Sequence, residues 1–127
     1  MKSCAIGFLF VAMLVAAPLT GHHAFEAEYD PGDTRDLAGV VTKVEWVNPH
    51  AHVFFNVEDQ DGQVETWSIE LGPPYALERG GWRRDTVDIG DSITMENVAL
   101  ARDGSHKAGA TRQSTLVLAD GARMVLR

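Results

Sequence analysis

Four of the five histidines fall in two close pairs, His22-His23 and His50-x-His52. Imidazole nitrogen is a common ligand for copper and zinc. The first pair has a second attraction. If the mature chain begins at His22, that residue carries a free α-amine beside its ring, and the two nitrogens form a chelate. One further imidazole completes a three-nitrogen set of the kind tetragonal Cu(II) prefers. His50 and His52, spaced i,i+2 on an extended segment, share a face and can supply it. The donor set resembles the histidine brace of copper proteins in ligand type. Zinc, with Glu26 as an added carboxylate ligand, is a further option. The bland reading is that His50, after Pro49, bonds the backbone and that His22 and His23 are solvated.

That chemistry depends on where the chain is cut. Lys2, then the uncharged apolar run Ala5 to Ala17, then Pro18-Leu19-Thr20-Gly21, read as an export signal over residues 1–21. The run is short for a membrane span, which needs roughly 20 apolar residues. Cleavage after Gly21 exposes His22; cleavage one residue earlier gives Gly21-His22-His23, a tripeptide that takes Cu(II) differently. A periplasmic or secreted protein is expected, with no membrane span once the signal is removed. The only cysteine is Cys4, within the signal, so the mature chain has no disulfide and no thiolate.

Composition narrows the field further. Eighteen acidic against eleven basic residues give a net charge of −7, unlike a general nucleic-acid binder. At 127 residues and 45% hydrophobic, with three Trp, two Tyr and five Phe, the chain suits one small folded domain.

The elements that would position the histidines are strands. Residues 22–36, with the turn cluster Tyr29-Asp30-Pro31-Gly32-Asp33, read as an extended N-terminal arm. Over residues 37–127 five β-like runs follow: Leu37 to Trp46, with Gly39 as a bend; His50 to Glu58; Gln63 to Leu71; Ser92 to Ala101; and a closing hairpin of Ala110 to Leu118 with Ala122 to Leu126. Alternation assigns Val53, Phe55, Trp67, Ile69 and Leu71 to a core face. Pro74 opens one short helix between strands three and four, closed at Gly80-Gly81. This order fits an all-β fold, a small OB-like Greek-key β-barrel in preference to a sandwich.

Several spacings also match a known pattern: His22-His23-x-Phe25, Gly39-x-Val41-x-x-Val44-x-Trp46-x-Asn48-Pro49-His50, Trp67-x-x-Glu70-Leu71-Gly72-x-Pro74, Gly81-Trp82-x-Arg84-Asp85, Gly90-Asp91 and Leu118-x-Asp120-Gly121. On these the chain resembles a family of small exported bacterial proteins of unknown function. The resemblance implies an exported single domain and brings no activity. Leu19-Thr20-Gly21 departs from the Ala-type cleavage site usual before the two histidines.

Beyond the histidines, Glu70 near the end of strand three is a candidate to support a histidine. Trp82 and Arg84 could form a stacking and anion-binding surface, with a Trp plug beside an Arg84–Asp85 ion pair as the structural reading. His106 reads as a solvent-facing loop residue. No nucleophile elbow, phosphate loop or metalloprotease helix motif occurs. Two functions remain: copper binding through His22 and His50, with His23 or His52 as further ligands, or a metal-free accessory module for a protein, peptide or small solute. An enzyme, by analogy to other brace sites, stands third.

Overall fold

A computed structural model describes residues 20–127, with side chains from Ala24 onward. Residues 1–19, and with them nearly all of the expected signal, lie outside the described residues.

The chain is mostly β. It runs α1 (Thr20–Glu28), β1 (Tyr29–Glu45), β2 (His52–Glu58), β3 (Val64–Glu70), α2 (Pro74–Arg79), β4 (Ser92–Ala101), β5 (Lys107–Gly109), β6 (Thr115–Leu118) and β7 (Arg123–Val125). The sheet closes on itself: β1 pairs with β2, β2 with β3, β3 with β5, β5 with β4, and β4 again with β1. All these pairings are antiparallel except β3–β5. The β6–β7 hairpin extends the sheet from β4.

Strand alternation produces the interior. Val53 and Phe55 of β2, Trp67 and Ile69 of β3, and Ile93 and Met95 of β4 all point inward and are buried. Leu77 of α2, Leu116 and Leu126 close the same cluster. Trp82 belongs there as well: it is 3% exposed, and its Nε1–H donates to the Val125 carbonyl at 2.7 Å. The surface role considered for Trp82 is therefore replaced by the plug, because the indole fills the interior and its one donor is satisfied. Arg83, not Arg84, approaches Asp85, at 3.7 Å.

Gly39 lets β1 pass from β4 to β2. A Cβ there would lie 2.1 Å from the Asn56 carbonyl oxygen, so only glycine permits the approach. A second irregularity does more for the site. At Asn97 the backbone turns left-handed (φ 57°), the Asp36 carboxylate accepts the Asn97 N–H at 2.8 Å, and the Ser114 hydroxyl donates to its carbonyl at 2.7 Å. Asn tolerates this conformation. The inserted residue shifts strand parity: Ile93, Met95 and Val98 face the core, while Ala99 and Ala101 join a separate cluster with Tyr29 and Phe25.

Three expectations need correction. Residues 22–36 do not form an extended arm; the chain is helical to Glu28 and enters β1 at Tyr29, eight residues before Leu37. The helix count rises to two with α1. The run from Ala110 to Leu118 is not one strand, because β5 ends at Gly109 and a turn held by Thr111 and Ser114 precedes β6. Among the described residues no helix is long and apolar enough to cross a membrane.

Candidate functional site

The site lies where α1 rests on the outside of the ring. Ala99, Ala101 and Gly109 make a bed of small residues, and the rings of Phe25 and Tyr29 lie over it, 5.0 Å apart by centroid. A Cβ on Gly109 would come within 2.5 Å of the Phe25 ring and 2.7 Å of the Tyr29 ring. Arg102 pins the junction from the far side: its Nε donates to the Glu26 carbonyl at 2.7 Å and its guanidinium meets Asp30 at 3.1 Å. The α1 segment is thus fastened to β4 and β5 by contacts distant in sequence.

Beside this junction opens a cleft of about 300 Å³, lined by Ala24, Phe25, Glu28 and Tyr29 from the N-terminal side and by His50, Glu70, Leu71, Ala110 and Arg127 from the ring. At its centre is a chain of polar contacts. Nδ1 of His50 lies 2.6 Å from one Glu70 oxygen, and the Tyr29 hydroxyl donates to the other at 2.9 Å. Burial comes first in pushing the Tyr29 hydroxyl well above its ordinary titration range, followed by its bond to Glu70 and the negative charges of Glu70 and Glu28. Tyr29 therefore stays a donor. Glu70 faces both groups, one oxygen against the His50 ring and the other accepting from Tyr29. Nε2 is the His50 ring nitrogen that Glu70 leaves unengaged.

The backbone explains why these groups meet. His50 precedes β2, and the Ala51 N–H donates to the Gly72 carbonyl while the Leu71 N–H donates to the Ala51 carbonyl. The loop after Asn48-Pro49 is thereby tied to the end of β3, where Glu70 sits. Tyr29 arrives through the β1–β4 pairing, opposite Ala101.

The predicted residues divide. His50 and Glu70 are in direct contact. His52 pairs in register with Glu70 across β2–β3, yet it is not among the cleft's lining residues, and its Nδ1 is buried without a hydrogen-bond partner among the described residues. His22 and His23 belong to the first turn of α1, and their side chains lie outside the described residues. Ala24 and Phe25, which follow them directly, line the cleft. Arg84 lines a different groove with Val44, Trp46, Val87, Asp88 and Ile89. His106 is an exposed loop residue, as expected, and it also stacks on Trp67 at 5.0 Å and meets Glu65 at 3.3 Å. Among the described residues no group of three or more His, Cys, Asp or Glu side chains is arranged to hold a metal ion.

Sequence reasoning missed Tyr29, Glu28 and Arg127. Tyr29 sat in a turn-like cluster, Tyr29-Asp30-Pro31-Gly32, and nothing local marks its partner 41 positions away.

A small β protein with a ring-closed sheet and a polar cleft on its outer face is the class these features define. The chain belongs to the family of unknown function DUF6152, which matches residues 11–111. No curated protein and no solved structure matches it. Three of the motifs that carried the resemblance, those containing Phe25, His50 and Glu70-Leu71, converge on the cleft.

Proposed function

We propose that this is an exported binding domain that holds one Cu(II) ion in the cleft between α1 and the ring. Nε2 of His50 supplies one ligand, and the amine and imidazole of His22 at the mature N terminus supply two more. His23 is the alternative on the same segment. The observation that carries this reading is the 2.6 Å contact of His50 Nδ1 with Glu70, a carboxylate itself held by Tyr29. A carboxylate on one imidazole nitrogen is the usual way to orient the other toward a metal and to raise its basicity. The lining charges agree: Glu28 and Glu70 against Arg127 leave the cleft one negative charge when His50 is neutral, which suits a cation. Export is supported by Lys2, the apolar run from Ala5 and the small-residue stretch ending at Gly21. An OB-like barrel is the reading we favour for the ring, on its strand order, its single parallel contact between β3 and β5, and its helix between β3 and β4.

The role is carriage or sequestration, since a brace-type donor set does not by itself imply redox catalysis. The test is native mass spectrometry of protein exported from a bacterial host, with one equivalent of Cu(II). A chain beginning at His22 that keeps one copper against a modest chelator is expected. His50→Ala should abolish that retention, and Glu70→Gln should weaken binding by about 10- to 100-fold. Equal retention by wild type and His50→Ala would remove His50 from the site.

A further inference from the structure

The cleft is much larger than an ion needs. A single water takes roughly 30 Å³ of liquid volume, whereas this cleft measures about 300 Å³, at the lower bound of small-molecule sites. Its lining combines three chemistries. Phe25, Leu71 and Ala110 give apolar wall; Glu28 and Glu70 give negative charge; Arg127 gives positive charge. Arg127 is held in place there, its guanidinium over the Phe25 ring at 5.0 Å and one N–H directed at the Ala110 carbonyl at 3.4 Å. A guanidinium so seated loses less freedom on meeting a carboxylate than a mobile one would.

From a lining that carries both signs of charge beside apolar side chains we propose that the cleft binds a small zwitterion, of the class of α-amino acids with an apolar side chain. The ligand's carboxylate meets Arg127, its ammonium lies between Glu28 and Glu70, and its side chain covers Phe25, Leu71 and Ala110. A simple anion would leave the two carboxylates without a partner, and a simple organic cation would leave Arg127 without one. A ligand carrying both signs pairs with lining groups of both signs, and the volume of about 300 Å³ suits one amino acid. This goes beyond the copper reading and does not depend on it, because no metal takes part in the contacts.

The test is calorimetric or NMR titration of the exported protein in EDTA with three probes of similar size: leucine, isocaproate (no amine) and isoamylamine (no carboxylate). Leucine should bind, and each of the others should bind at least about tenfold more weakly. Arg127→Gln should weaken leucine by about tenfold or more with an unchanged melting temperature, and Glu28→Gln should weaken it less. Leucine binding no tighter than isocaproate, or unaffected by Arg127→Gln, would overturn the proposal. So would leucine binding that appears only when copper is restored, since the metal would then be the receptor.

Discussion

The molecule has two apolar regions built on different rules. Inside the ring, large side chains pack at strand spacing: Phe55, Ile69, Met95 and Leu116 are all fully buried. Outside it, the patch under α1 joins two aromatic rings to Ala99 and Ala101, with Gly109 as the point of closest approach. The interior is volume filled by many interchangeable contacts. The patch is a fitted seat in which one methyl group too many moves a ring. Stability is concentrated in the first region and the polar contacts of the cleft in the second, so the two can be damaged separately.

The largest effect should come from the interior. Phe55→Ala removes a fully buried ring between β2 and its neighbours, and about 3–5 kcal/mol of stability should go with it. Urea denaturation measures this directly. Any loss of ligand binding in that variant should track loss of fold. A loss below about 1 kcal/mol would mean the interior collapses around the gap, and the distinction between the regions would fail.

Gly109→Ala should act the other way round. The new Cβ would press on Phe25 and Tyr29, and overpacking of this kind costs about 1–3 kcal/mol. The rings can move outward with α1 where interior side chains cannot, so the ring of strands should survive. The expected result is native far-UV circular dichroism with the cleft lost, read as copper retention or leucine affinity falling well before the melting transition. Unchanged ligand binding in Gly109→Ala would show that α1 does not form a wall of the site.

This contrast also explains what could be read from the sequence. The interior announces itself by alternation, and β2, β3, α2 and β4 lie within two residues of where the pattern puts them. Ala99, Ala101 and Gly109 carry no such signal, because a seat for a ring is made of what is missing. The helical run from Thr20 was hidden for a related reason: its polar, acidic sequence has no strong apolar stripe of its own, and the segment is secured through Phe25 and Arg102. Of the cleft, His50 and Glu70 were legible as chemistry-bearing residues. Their contact was not, since it follows from the β2–β3 register and the tie between Ala51 and Leu71.

The smallest effect is the most diagnostic of the seat. Tyr29→Phe keeps the ring and deletes only the hydroxyl that donates to Glu70, which should cost about 1 kcal/mol at neutral pH. The pH dependence separates that bond from packing. In the unfolded chain tyrosine loses its proton near pH 10, while in the fold burial and the carboxylates hold the Tyr29 proton on well above that. Between those two points the native state binds more protons than the unfolded state, so stability falls as pH rises. The slope for one such group is about 1.4 kcal/mol per pH unit. The advantage of wild type over Tyr29→Phe, measured by urea denaturation, should therefore be full at pH 8 and vanish by about pH 11. A gap that stays constant across this range would mean that the hydroxyl titrates as freely in the fold as out of it, and that the chain from Tyr29 through Glu70 to His50 is not a held one.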